Sequence, residues 1–364
     1  MQIQELTSYL ENLAPLAYQE SYDNSGLIVG DYFQEITNVL TTLDCTEKVI
    51  DEAIEKNCNL IVAHHPIIFK GLKKITGSNY IERTVLKAIK NDIAIYAIHT
   101  NLDNVTGGVN FKIAEKLQLK KLSILAPKTQ QLMKLTVFVP KEHSGKLLDS
   151  LYEAGAGNIG NYSNCSFRTE GRGTFKANEQ ANPSIGSRGT YEEVEEYRVE
   201  VIFPAFIKNQ VLRGMRKGHT YEEISYFLTP LENKLQTVGS GIVGELDSPV
   251  DTLEFLQFVK TTLKAGVVKY TDITHDTINR VAVCGGSGGF LLQDAIRAKA
   301  DIFITSDYKY HEFFDAEDKI IIADIGHYES EQFTKELIRD EILKKFSNFA
   351  TYLSEAKTNP VNYL

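Results

Sequence analysis

The sequence has no CxxC pair and no disulfide-like spacing. Its four cysteines, Cys45, Cys58, Cys165 and Cys284, are scattered over 364 residues. That argues against a cysteine-based zinc finger or a disulfide framework, and it is the usage expected of a cytoplasmic protein. Long apolar runs are also missing. The longest, such as "DIFIT" and "KIIIADI", fall far short of the roughly 20 residues that span a bilayer, so no membrane partner is expected. The opening "MQIQELTSYLENL" has no basic start, and Glu5 and Glu11 sit inside it. It reads as an amphipathic first helix and not as a signal peptide. A basic excess is absent as well: the net charge is −9. Non-specific nucleic-acid binding usually needs the opposite balance, so a nucleic-acid-associated ring is the least favoured reading. No repeat or low-complexity tract stands out.

What remains is an ordinary globular composition, 43% hydrophobic and 24% charged, in a chain long enough for two or three domains. The first third alternates strand and helix patterns. Candidate strands are "GLIVG" (26–30), "NVLTTLD" (38–44), "NLIVA" (59–63) and "IAIYAI" (93–98), with helical patterns over 46–57 and 80–92. This rhythm predicts βα units and a mostly parallel sheet. The last third repeats it, with strands in "RVAVCGG", "ADIFITSD" and "KIIIADIG" and one long helix from about 328 to 343. The middle differs. It reads strand, helix, a group of strands, helix, strand, a βαββαβ-type order that is ferredoxin-like. The α/β pattern resumes after it, which predicts an α+β domain inserted into a discontinuous α/β domain.

Three of the predicted strands end in polar clusters. "NLIVAHHPIIFKG" runs a buried strand into His64 and His65, and Pro66 then stops the ladder. "AIHTNLDN" supplies His99 and Asp103, and "DIGHYESE" supplies His327 and Glu331. In a parallel α/β sheet, ligands bind beyond the carboxyl ends of the strands, so these clusters are expected on one sheet rim. His327 and Glu331 are spaced i, i+4 and share a helix face. Imidazole with carboxylate suits Zn²⁺, Mn²⁺, Fe²⁺ or Co²⁺. Side chains of adjacent histidines diverge, so the pair serves two neighbouring ions more readily than one, and a carboxylate such as Glu331 can bridge them. Taken singly, each cluster also fits a satisfied strand-end histidine or a helix-surface pair, and spacing alone leaves both readings open.

The motifs "YDNSGLIVG", "NLIVAHHPIIFKG", "AIHTNLDN", "TSDYKYHE" and "DIGHYESE", in this order, resemble those of the Nif-three-like dinuclear-metal family. Bacterial members carry the label GTP cyclohydrolase type-two homologue. "AGAGNIGNYSNCSF" and "HTYEEISYFLTPLEN" resemble the PII/CutA-like insert of its longer members. The chain departs from common family patterns at Tyr22-Asp23-Asn24, where relatives have Trp-Asp-Asn, at Thr305-Ser306-Asp307 and at "HTYEE". The resemblance implies a discontinuous α/β domain over 1–128 and 238–364, and a ferredoxin-like (PII/CutA-like) insert over 129–237. It implies two divalent metal ions per chain, zinc first with iron or manganese as alternatives, on His64, His65, Asp103, His327 and Glu331. It further implies a toroidal homohexamer with a small-molecule ligand in an internal cavity.

The function expected is a dinuclear metal-dependent hydrolase acting on a nucleotide or related small molecule. The alternative is a non-catalytic regulatory or metal-handling assembly whose insert senses a ligand. His99 and His311 lie beside the ligand motifs and are candidates for orienting a bound group or for general acid/base work. Asp307 is a candidate to orient His311. "VCGGSGGF" is either a phosphate cradle or a tight turn approaching the site.

Overall fold

The computed structural model describes all 364 residues. They form two compact units: Met1–Ala126 with Thr237–Leu364, and Pro127–Gln236.

The first segment of the discontinuous unit contains α1 (Ile3–Leu13), β1 (Gly26–Val29), β2 (Val39–Thr42), α2 (Glu47–Glu55), β3 (Leu60–Ala63), α3 (Tyr80–Lys90), β4 (Ala94–Ala97), the single turn α4 (Thr100–Asp103), α5 (Val109–Lys116) and β5 (Lys120–Lys128). Every residue of β2, β3 and β4 is buried. Continuous β-branched and small apolar runs such as "LIVA" suit strands covered on both faces. On one side the cover is α2 and α3, whose Val49, Ile50, Ala53, Val85 and Ala88 join Leu40, Ile61 and Ile95 in one core.

In the continuous unit, β6 (Leu132–Pro140), α6 (Ser144–Glu153), β7 (Phe167–Lys176), β8 (Tyr191–Pro204), α7 (Lys208–Gly218) and β9 (Tyr226–Leu231) follow in chain order. The four strands make a fully antiparallel sheet of order β7-β8-β6-β9. Strict alternation decides its two faces. Leu135, Val137, Val139, Val199, Val201 and Phe203 point to one side and pack against Leu147, Leu151, Val211 and Met215 of the two helices. The glycine-rich "GAGNIGNYS" is a turn in which Ile159 and Tyr162 exchange backbone hydrogen bonds.

The chain then returns to the first unit with β10 (Leu235–Asp251), α8 (Thr252–Thr262), β11 (Lys269–Tyr270), β12 (Thr277–Ser287), α9 (Leu292–Arg297), β13 (Ile302–Ser306), β14 (Ile321–Asp324), α10 (His327–Glu331), α11 (Thr334–Lys345) and β15 (Thr351–Leu353). The long helix expected over 328–343 is therefore two segments. They part at Gln332 and Phe333, where the Gln332 side chain donates to the Leu263 carbonyl instead of lying free on a helix surface.

A second correction concerns the sheet. The strands do not share one rim. They form two sheets, β1-β4-β3-β2-β15 and β11-β14-β13-β12-β10-β5. In the first, β2, β3, β4 and β15 are parallel and β1 is antiparallel; in the second, β12, β13 and β14 are parallel. Eleven strands in one open twisted sheet would exceed the size at which sheets commonly curl or split. The polar strand ends of both sheets nevertheless line one cavity.

Candidate metal centre

Each parallel strand at this cavity carries a polar residue within three positions of its carboxyl end. Asp44 lies just beyond β2, His64 and His65 directly follow β3, and His99 lies two residues past β4. From the second sheet, Asp307 follows β13, and His327 opens α10 after β14.

His64 is fully buried. Its Nδ1 lies 2.9 Å from the carbonyl oxygen of Ile98. A carbonyl only accepts, so Nδ1 donates to it and Nε2 is the ring nitrogen left to serve as an acceptor. That Nε2 has no hydrogen-bond partner. It faces Asp103 Oδ1 at 3.6 Å, a second buried acceptor without a partner, and Glu331 Oε1 at 3.9 Å.

The other histidines are held the same way, with carboxylates behind them. His65 Nδ1 is 2.8 Å from Asp44 Oδ1, and its Nε2 is 2.9 Å from Glu331 Oε2. His327 Nδ1 is 2.6 Å from Asp307 Oδ2, and its Nε2 is 3.1 Å from Glu331 Oε2. His99 Nδ1 is 2.8 Å from Asp23 Oδ1. Asp23 is itself fixed by the Thr100 amide at 3.0 Å, by the Thr100 hydroxyl and by Ser25. The His99 ring centroid lies 5.2 Å from that of His64 and 5.3 Å from that of His65.

The electrostatics follow from this crowding. Burial favours neutral rings, yet Asp44 and Glu331 outweigh it and raise the pKa of His65 to about 9. His327 rises to about 11, where burial is again opposed and overcome by Glu331 and Asp307. Burial would raise Glu331 as well, but the His327 charge and the hydrogen bonds from His327 and His65 hold it well below the usual carboxylate range. Asp103 goes the other way, to about 7, pushed up by burial and then by the neighbouring Glu331 charge.

Three sets of donor atoms converge within 4.8 Å: His64, His65 and His99; His65, His327 and Glu331; His64, Asp103 and Glu331. Each set could hold a cation, and Glu331 belongs to two of them. The cavity in front has a volume of about 1000 Å³, and its lining includes Tyr22, Phe69, His99, Asp103, Phe290 and Glu331.

The structure thus brings together His64, His65, His99, Asp103, His327 and Glu331. It does not bring His311 to them. That ring is exposed and packs with Tyr310 and Phe314. Asp307 orients His327 and not His311. Lys70, Lys73 and Lys74 lie on an exposed loop. In "VCGGSGGF" the amides of Gly285, Gly286 and Gly288 donate to Asn110, Ser330 and Thr305, so the protein itself uses the donors a phosphate would need. The segment is neither a phosphate cradle nor a free turn: it is the irregular carboxyl end of β12, brought close to the site. A Cβ on Gly286 would lie 2.4 Å from Glu331 Oε1, and its φ of +64° favours glycine. Sequence reasoning passed over Asp23 and Asp44 as site residues. Asp44 had the same signal as the histidines, a polar residue just past a buried parallel strand.

The family model for Duf34/NIF3 (NGG1p interacting factor 3) matches residues 1–360. The chain belongs to the Duf34/NIF3 family. A Bacillus subtilis member named GTP cyclohydrolase 1 type 2 homolog is 40% identical, over 99% of this chain and 98% of its own. A Staphylococcus epidermidis protein of the same name is 36% identical over the full length of both. Among solved structures, a Bacillus cereus protein related to NIF3 is 36% identical and superposes with a TM-score of 0.87, covering 100% of this chain and 99% of its own. Like its NIF3-related neighbours, this member is a mixed α/β protein with several sheets. None of its helices is long and apolar enough to cross a membrane.

Proposed function

We propose that this Duf34/NIF3 member is a dinuclear metal-dependent hydrolase acting on a nucleotide or related small molecule. His64, His65, Asp103, His327 and Glu331 would hold two divalent ions, zinc before iron or manganese. The observation that carries this reading is the facing pair of buried acceptors, His64 Nε2 and Asp103 Oδ1, neither with a donor. Two lone pairs left opposite each other away from water cost several kcal/mol unless a cation or proton lies between them. The donor set is the mixed imidazole and carboxylate kind that first-row divalent ions prefer.

When bound, two such ions supply Lewis acidity toward a phosphoryl, amide or ring C=N group. The chain's own residues prepare that site. Ile98, Asp44 and Asp307 accept from the Nδ1 atoms of the three histidines and so aim each Nε2 at the centre. Glu331 offers one oxygen to His65 and His327 and the other toward His64, so this one carboxylate would help hold both ions. His99, braced by Asp23 at the cavity wall, is positioned to orient a substrate or pass it a proton. The nucleotide class rests on the relatives' name, GTP cyclohydrolase 1 type 2 homolog. His311 has no part in this site.

The remaining architecture supports an insert over 129–237 that is ferredoxin-like, because four antiparallel strands in the order second, third, first, fourth carry two helices on one face. We also propose a homohexamer, since family resemblance points to a ring enclosing the metal sites.

The test is elemental analysis of gently purified protein together with turnover of GTP and a panel of nucleotides and phosphoesters. About two transition-metal ions per chain are expected, and Glu331→Gln should lose at least one of them along with any turnover. Wild-type protein that holds no metal and takes none up would overturn the assignment.

A further inference from the structure

The continuous unit has a cavity of its own, about 640 Å³, within the range of small-molecule sites. Its floor is the sheet face that carries no helix: Phe138 of β6, Glu196 of β8, Thr169, Gly171, Gly173 and Phe175 of β7, and Phe227 of β9. Its rim is the polar segment Ala177–Ile185 and the turn holding Tyr221, inside the "HTYEE" motif. The hydrolase reading leaves this motif unused.

The motif builds the cavity wall. His219 is buried, its Nε2 2.8 Å from the Phe138 carbonyl, and its Nδ1 accepts from the Tyr221 amide at 3.0 Å. That fixes the turn and sends the Tyr221 hydroxyl to Glu196 Oε1 at 2.8 Å. Glu196 is only 7% exposed and forms no ion pair with a lysine or arginine. The two arginines at the cavity are more than half exposed, and each closes on another glutamate, Arg172 on Glu193 and Arg198 on Glu200. Gly173 gives the carboxylate its room, because a Cβ there would lie 2.2 Å from Glu196 Oε2. A buried glutamate side chain held by one neutral donor and by no lysine or arginine is rare. Around it stand two aromatic pairs, Phe138 with Phe227 at 5.9 Å edge-to-face and Phe175 with Tyr221 at 6.3 Å. Aromatic faces around a carboxylate recognise a cation with an apolar body.

We infer that this cavity binds a small organic cation, a protonated amine or quaternary ammonium, with Glu196 as its counter-ion. The inference is independent of the metal centre, and failure of either leaves the other standing.

The test uses the full chain and three probes of one shape: benzylamine, neutral benzyl alcohol and anionic benzoate. Binding is read by ligand-observed NMR, and folding by melting temperature. Benzylamine should bind at least roughly tenfold more tightly than the other two. Glu196→Gln should abolish that preference while leaving the melting temperature of the unliganded protein unchanged or higher. Gly173→Ala keeps the charge but displaces the carboxylate, and should also weaken benzylamine. The inference is overturned if the three probes bind alike, if benzoate binds best, or if both variants keep wild-type selectivity. It is equally overturned if Glu196→Gln lowers the melting temperature without changing probe binding, the mark of a purely structural glutamate. A face protected from hydrogen exchange by a neighbouring copy, with no response to benzylamine, would mark it as a contact between copies and overturn it too.

Discussion

At the scale of single residues, the centre depends as much on what stands behind each histidine as on the histidines. Asp307 touches only Nδ1 of His327, yet it sets the ring's tautomer and direction. Asp307→Asn should therefore weaken metal binding by about 10–100-fold, measured by competition with a chelator, while the fold and melting temperature stay close to wild type. A second histidine gives a pH prediction. Burial lowers the pKa of His219 below its ordinary 6.5, against the pull of its Phe138 hydrogen bond. The unfolded chain then takes up the proton first. The stabilisation is complete above pH 6.5 and is lost as pH falls from there through the lower folded pKa. Melting temperature should fall between pH 7 and 5, and His219→Gln should flatten that slope. An unchanged slope would mean that other groups set it.

At the scale of elements, buried parallel strands do the positioning. β2, β3 and β4 are covered throughout, and the ionisable residues Asp44, His64, His65 and His99 come one or two positions past their carboxyl ends. The irregular carboxyl end of β12 shows how closely a backbone can serve the site. Gly286→Ala would force a left-handed φ on alanine, costing about 1–2 kcal/mol, and its Cβ would collide with Glu331 Oε1. Reduced metal content with only a modest drop in melting temperature is the expected result. Normal metal content would show that Glu331 can move aside without loss.

At the scale of the whole molecule, assembly is the open quantity with the simplest measurement. Six copies should give a light-scattering mass six times the 40.9 kDa chain. A clean monomer at micromolar concentration would sink the ring and leave the metal centre to be argued from one chain alone. Much of the chain's organisation could be read beforehand. The strand ends at His64, His99 and His327 follow from apolar runs that stop abruptly, and the interruption by a differently patterned middle segment follows from a change of rhythm. Two features could not be read that way. Nothing local in "KIIIADIG" or "NLIVA" says that these strands belong to different sheets, because strand pairing is a long-range choice. Nor does "TSDYKYHE" say whether Asp307 orients His311 or His327, since both lie within reach in sequence.

Hydrophobic periodicity and polar punctuation determined, from sequence alone, which residues end the strands and that imidazoles and carboxylates would lie there. Those signals are local, and burial imposes them residue by residue. Only the tertiary structure decided that two sheets close on one cavity, that Asp44, Asp307 and Ile98 stand behind the histidines, and that His64 Nε2 and Asp103 Oδ1 face each other without a donor. The centre joins residues as far apart in sequence as His65 and Glu331, 266 positions. No local pattern encodes them, because they exist only once the packed core has fixed where each strand ends.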